Sequence, residues 1–543
     1  MKYIPRKLEH LGLIAAMCDE LGIAENIDQK VGQNRRKVSV GRAVKAMIVN
    51  ALGFTGRALY LTPNFFKNRL TDILIGDGIL PADLNDDSLG TALDILYDTG
   101  LNETFFAVSS HALKTQDITH KFAHLDSTTF SLHGRYNSDE PEDADGSTSE
   151  IVRITKGHSK DNAPELNQVV VMLMTTYQSS IPLWISTASG NASDKKEFAK
   201  TIQKYRQQLR EGSMPCMVMD SAFYTAENLQ SFPDLKWVTR VPETIREARL
   251  LLEQTDMDQM QQLENGYRVA PVTSEYAGVT QRWLVVHSPQ AREQEIKSFN
   301  RNLEKLERKD MDRLSTLQKQ DFACEADALA ALEQFAKTLK FHLLDFKSAT
   351  PRAQFAGKGR PARDQSPAKT VWNVIGHLEK NQNAIAAACA RKGNFIIATN
   401  ELDAIELTDT ELLGVYKAQG VSVERGFRFL KDPLFYAESL YLNNPKRIMA
   451  LIMVMGISLL VYALLEKKLR QSLKDQKKTI RSQTNKPTNN PTIRWVFMLF
   501  ENVLLLEIQH EYQITRHFVD PPDDLSTILN CLGIHFKNVY CVS

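Results

Sequence analysis

The sequence predicts an α/β protein: a mixed sheet flanked by helices, interrupted by a β-plus-helix insertion and preceded by an N-terminal helical domain. Three observations point there. Residues 1 to about 120 carry apolar side chains at helical spacing. From about residue 121, short apolar runs alternate with helical segments. Between about Pro242 and Arg391 that alternation breaks off around a long charged stretch, and then resumes. A chain of 543 residues is also too long for one core. The expected divisions are a helical domain (1–120), a first core segment (121–242), an insertion (243–391), a second core segment (392–470), and a basic linker with a C-terminal helical region (471–543).

Each element has a local reason. The clearest early helix opens at Ser39, a good N-cap, and runs through Val40, Val44, Met47, Ile48 and Ala51 to a stop at Gly53. Phe122 to Phe130 reads as the first strand of the core. Gln168 to Tyr177 and Ile181 to Ser186 read as a hairpin about a short polar turn. Lys195 to Leu209 is helical, and Cys216 to Asp220 and Lys236 to Val241 are short buried strands. The acidic stretch Asp139 to Glu150 reads as a solvated loop. In the insertion, Tyr267 to Thr273 and Arg282 to His287 are strands. Gln290 to Lys340, with mixed charges at i, i+4, is an exposed helix or helical hairpin. A basic turn, Gly357 to Pro361, precedes a return to strand at Asn394 to Thr399.

Composition narrows the classes. Hydrophobic content of 43% and charged content of 24% are ordinary for a globular protein. A net charge of +1 gives no global sign of a polyanion partner, so any nucleic-acid contact must use local patches. One such patch lies between Gln29 and Thr71, with nine Lys or Arg and no acid: Lys30, Arg35, Arg36, Lys37, Arg42, Lys45, Arg57, Lys67 and Arg69. A one-signed surface suits DNA phosphates, although a solvated helical face has the same composition. Residues 466 to 494, with nine bases against two acids, read as a basic linker able to track DNA. Six scattered cysteines, none in CxxC or zinc-ligand spacing, read as reduced thiols. Ile448 to Leu465 is an uncharged apolar run of 18 residues, just long enough to span a membrane. It is read instead as a helix buried in a large core, and the N-terminus lacks a signal-peptide core. A cytoplasmic protein without a membrane partner is therefore expected.

Three acids carry the chemistry. Asp126 lies in Leu125-Asp126-Ser127-Thr128. Asp220 ends Met217-Val218-Met219-Asp220. Glu424 lies in Val423-Glu424-Arg425-Gly426-Phe427-Arg428. Two carboxylates at strand ends and a third on a helix can hold two divalent cations, an arrangement suited to in-line displacement at a phosphodiester. Magnesium prefers such oxygen ligands and keeps several waters. Glu424 and Lys431 are seven residues apart, about two helical turns, with Arg428 on the same face. Taken singly, Asp126 could cap a turn, Asp220 could cap the helix beginning near Thr225, and Glu424 could pair with Arg428. Between Asp220 and Glu424 lie 203 residues, against 93 between Asp126 and Asp220, which locates the insertion.

Ordered blocks extend the pattern. They are Leu125-Asp126-Ser127-Thr128, Gly157-His158-Ser159-Lys160-Asp161 with Gln168-Val169-Val170, Gly190-Asn191-Ala192-Ser193-Asp194, Met219-Asp220-Ser221-Ala222-Phe223-Tyr224, and Tyr416, Gln419, Glu424 and Lys431. Together they resemble the insertion-sequence transposases of the DDE class, in the group with a β-containing insertion before the final Glu and a Tyr-Arg-Glu-Lys signature. Here Gln419 stands at the signature arginine, one residue further from Glu424 than in the commonest spacing, and Ser221-Ala222 replaces a small Ala-Gly pair. The Glu-x6-Lys spacing is kept.

The resemblance implies a ribonuclease H-like catalytic core in which Asp126, Asp220 and Glu424 hold two Mg²⁺, with Mn²⁺ able to substitute. It implies cleavage at the element's ends followed by strand transfer into target DNA. Tyr416, Gln419, Arg428 and Lys431 would contact DNA, with Arg35, Arg36, Lys37, Arg42 and Lys45 in the end-binding region. The implied partners are the terminal inverted repeats, target DNA and a second copy of the chain in the DNA complex. A metal-dependent nuclease that cuts without joining, or a DNA-binding repressor with a decayed site, would share much of this pattern. His124 reads as a hydrogen-bonded strand residue, Asp194 as closing a turn, and Trp283 as a core residue, although related enzymes stack a flipped base on an aromatic of the insertion.

Overall fold

The computed structural model describes the chain except residues 33–34, 56–58, 135, 137–150, 178, 210–213, 357–365, 436–441, 443, 511–512, 520–523 and 541–543. The acidic stretch Asp139 to Glu150, the basic turn Gly357 to Pro361, Arg57 and Cys541 thus lie outside the described residues. The chain forms two compact units. The first comprises Met1–Thr239, Glu275–Thr280 and Thr399–Ser543; the second comprises Arg240–Ser274 and Gln281–Ala398.

In the first unit the sheet runs in the order Pro182–Ser189, Asn167–Thr176, Phe122–Leu132, Cys216–Met219, Trp237–Arg240. The first three strands are antiparallel neighbours; the last two join in parallel. These strands are buried along nearly their whole length, because both faces of the sheet are covered. Leu125, Met174 and Trp184 are register partners and share one face, where Trp184 meets Tyr205 of the helix Asp194–Gln208 edge to face. Asp126, Leu173 and Ile185 are partners on the other face. There the helix Gln419–Leu430 lies over the sheet through Gly426, where an added Cβ would stand 2.7 Å from Leu173 Cδ2.

The apolar run that could have spanned a membrane belongs to the helix Pro445–Asp475, buried over its apolar length. Gly456 lets it reach the sheet, since a Cβ there would stand 2.7 Å from Ile185 Cγ2 and 3.0 Å from Phe105 Cε2. Arg447 on this helix donates two bonds to Asp94 at 2.8 and 2.7 Å, and Glu466 is buried between Arg425 and Arg470. The helix continues to Asp475, so about the first third of the expected basic linker is helical.

The ends of the chain differ from the helical reading. Lys2–Lys7 is a strand, paired antiparallel with Leu504–His510, which pairs in turn with Gln513–Val519. Tyr540 is fully buried against Gly12, donates to the Glu9 carbonyl at 2.6 Å and accepts from the Leu13 amide at 3.2 Å. These contacts join residues more than 500 apart in sequence, so no local window reveals them.

The second unit has strands Gln261–Gln262, Arg268–Tyr276, Val279–His287 and Asn394–Thr399, in the order fourth, third, second, first. The charged stretch resolves into helices Pro289–Gln318 and Glu325–Lys337. They pack on a long hairpin, His342–Gln354 with Lys369–Lys380, through Leu314, Ala328, Leu332, Phe335, Ala349 and Val374. Asp310 and His342 form a buried pair at 2.9 Å.

Gly456→Val should overpack the seam between the long helix and the sheet, costing about 1–3 kcal/mol. Denaturant unfolding would register a lower midpoint with unchanged slope; an unaltered midpoint would mean that the seam is loose.

Candidate active site

The parallel strands bring two carboxylates side by side. Leu125 pairs with Met219, so Asp220 falls next to Asp126 one residue further along the same register. Neighbouring strands lie about 4.8 Å apart. Both aspartates are half-buried. Asp126 Oδ1 accepts from the Ser127 amide at 2.7 Å, and Asp220 Oδ1 accepts from the Ala222 amide at 2.9 Å. Neither acid does the capping work, of a turn at Asp126 or of a helix at Asp220, that it could do alone. The helix Ala226–Ser231 is capped by Thr225, whose Oγ1 accepts from the Asn228 amide at 3.2 Å, while Asp126 sits inside a strand.

Burial is the main electrostatic fact. It pushes the Asp126 carboxyl up to about 6, against partial relief from Lys160 and the Ser127 amide, with Asp220 and Asp194 adding repulsion. Burial raises Asp220 as well, opposed by the Ala222 amide and Lys160. A carboxylate short of solvation gains most from a cation, and oxygen donors suit a hard divalent ion. The aspartate pair therefore fits the expected metal. Among the described residues, however, no three of His, Cys, Asp and Glu are gathered closely enough to hold an ion.

Glu424 is exposed on the helix Gln419–Leu430, its carboxylate leaning back toward Gly420, where an added Cβ would stand 3.6 Å from Oε2. It makes no ion pair with Arg428, which is also exposed. The helix is fastened to the Asp126 face at two places. His124 is fully buried and burial lowers its pKa to about 4, so the ring is neutral. Its Nε2–H donates to the Val415 carbonyl at 2.9 Å and its Nδ1 accepts from Ser422 Oγ at 2.9 Å. At the other end Lys431 donates to both oxygens of Asp161 at 2.7 Å and lies 5.9 Å from the Phe130 ring centre.

The blocks between the first two acids meet here. An added Cβ at Gly157 would fall 2.0 Å from the Gly190 carbonyl, and one at Gly190 would fall 2.2 Å from that of Gln168, so both positions require glycine. That close approach seats Lys160. Its Nζ donates to Ser127 O at 2.8 Å and to Ser127 Oγ at 2.6 Å, and lies 3.0 Å from Asp194 Oδ2. Two of the three ammonium donors are thus spent on Ser127, and Asp194 adds an ion pair. The sequence marks Asp161 only as a polar position near the expected core and gives Lys160 no role of its own; their signal is a Lys-Asp pair inside a family-like block.

Other expected residues fare differently. Trp283 is buried in the second unit, its Nε1 donating to Gln281 at 3.0 Å, and is not a surface for stacking. Gln419 is buried at the helix start and Tyr416 is half-buried, so Gln419 does not face a DNA partner. The basic N-terminal stretch loses its single sign in the fold. Lys45 is buried and ion-paired with Asp19, which corrects its reading as a phosphate contact. Lys37 pairs with Asp83 at 2.7 Å, Arg69 pairs with Glu9 at 3.2 Å, and Arg36 donates to the Ser88 carbonyl at 2.6 Å. Arg42 packs over Gly76; Arg35 is exposed. The stretch holds no acid, but acids from other segments reach it.

The raised Asp126 pKa carries a stability signature. At low pH the group is protonated in both states and costs nothing. As pH rises from the ordinary 3.8 through the folded value of about 6, the native state loses stability relative to the unfolded chain. Asp126→Asn should therefore stabilise the metal-free protein at pH 8 by up to about 3 kcal/mol, with the gain vanishing near pH 4. Chemical denaturation at both pH values would check this; equal or lower stability at pH 8 would contradict it.

Comparison with known proteins bears on the same residues. A family model described as a transposase DDE domain matches residues 119–462, and one for a domain of unknown function (DUF4277) matches residues 4–110. Among solved structures, the piggyBac transposase synaptic complex with hairpin DNA is similar at 9% identity, with 92% of this chain and 82% of that chain covered and a TM-score of 0.37. No curated protein matches. The transposase match spans more than half of the chain and includes Asp126, Asp220 and Glu424, so the chain belongs to the transposase DDE-domain family.

Proposed function

We propose that this DNA-processing enzyme cuts at the ends of an insertion element and joins the freed 3′ ends to target DNA, with Asp126, Asp220 and Glu424 as its metal-holding residues. The observation that carries the reading is the parallel register that sets Asp126 beside Asp220 in a half-buried position. The family uses divalent metal ions; the oxygen donors here favour Mg²⁺, with Mn²⁺ as a substitute. Bound there, two such ions would supply charge stabilisation to the attacking and leaving oxygens of an in-line displacement.

The chain's own groups prepare that site. The Ser127 and Ala222 amides orient one oxygen of each aspartate, and Lys160 keeps the strand at Ser127 fixed. Glu424 would complete the donor set from a helix fastened through Ser422 and, until DNA binds, through Lys431. Arg428 and Lys431 would meet DNA phosphates, and exposed Arg35 would assist in the N-terminal region. Pairing two terminal inverted repeats calls for a homodimer in the DNA complex, acting in the cytoplasm.

Replacing Asp126, Asp220 or Glu424 with Ala should lower cleavage by at least about a thousandfold. End binding should stay within about threefold of wild type. The assay supplies purified protein, Mg²⁺ and the ends flanking its gene, and follows both cut and joined products. Joining by any one variant would remove that residue from the site, and cutting without joining by wild type would leave a nuclease.

A further inference from the structure

The Lys431 ammonium is not free to meet a phosphate. Both oxygens of Asp161 hold it at 2.7 Å, with the Lys431 side chain 25% and the Asp161 side chain 42% exposed. Nor is Asp161 a drifting surface acid. Its amide donates to Ser159 Oγ at 3.2 Å, and its neighbour Lys160 is bound through Nζ to Ser127 and Asp194 and through its amide to Thr129 Oγ1 at 3.1 Å. The Gly157–Gly190 approach fixes the start of the same segment. The carboxylate thus stands in a built position, presenting to Lys431 the charge and paired oxygens that a phosphate would bring.

We propose that Asp161 is a specificity-determining residue: it screens Lys431 from DNA of arbitrary sequence and yields only to a phosphate that other contacts hold in register. The inference rests on the reading of Lys431 as a DNA contact. A half-exposed ion pair has little net strength, so a correctly seated phosphate can displace the carboxylate. A loosely held phosphate gains too little from one ammonium to do so, and non-specific binding proceeds without Lys431.

The test is DNA binding in EDTA, read by fluorescence anisotropy with an element-end duplex and a scrambled duplex of equal length. Asp161→Asn should tighten scrambled binding by about three- to fivefold. Its salt dependence should steepen by about one counterion as Lys431 joins the contact. End binding should change less, so the preference for ends falls. In a Lys431→Met background, Asp161→Asn should have no effect. Unchanged or weaker scrambled binding, or the same gain without Lys431, would overturn the proposal. Asp161→Ser carries the same expectations if the Asn variant unfolds early. Wild-type protein with no preference for its ends would instead defeat the underlying end-binding reading.

Discussion

Two carboxylates one strand apart, both short of water, set the terms for the rest of the first unit. The pairing of Phe122–Leu132 with Cys216–Met219 makes Asp126 and Asp220 neighbours whatever else the chain does. Their burial makes them poor anions: Asp126 sits near 6 and Asp220 is also raised. Two backbone amides and the Lys160 ammonium offset part of this cost. What remains is an attraction for a cation that a more solvated pair would lack. The same low dielectric would strengthen any interaction made there with a reacting phosphate.

The helix that carries Glu424 depends on close packing against that pair. Gly426 sits on Leu173, the residue directly opposite Asp126, and a larger side chain there would lift the helix from the sheet. His124, two residues from Asp126, is spent on hydrogen bonds to Val415 and Ser422, not on a metal. The long helix Pro445–Asp475 then covers the outer part of the same face through Gly456 and Ile185. The second unit has its own hydrophobic cluster, which is how 203 residues can separate Asp220 from Glu424 without dissolving the core.

Much of this was legible in the sequence, for a physical reason. Strands covered on both faces need continuous apolar runs, and Met217-Val218-Met219 and Val169-Val170-Val171 supply them. The all-round apolar character of Ile448 to Leu465 suited a buried helix. What sequence could not show is who pairs with whom across the chain. Lys2–Lys7 is a strand because Leu504–His510 offers it an edge. Lys45 is buried because Asp19 is there to receive it, and Lys37 turns to Asp83. Asp161 meets Lys431 across 270 positions of sequence. Charges are the least local of all side-chain features, and the misreadings gather among them.

The central claim is that Glu424 joins Asp126 and Asp220 around the metal. Iron(II) can replace magnesium at such oxygen sites, and with ascorbate and peroxide it cuts the polypeptide close to where it is bound. Mapping those cuts in the protein bound to its end DNA tests the claim most directly. The account predicts three clusters of cuts, near residues 126, 220 and 424, all suppressed by excess Mg²⁺. Cuts near 126 and 220 alone would contradict it, leaving Glu424 outside the metal site.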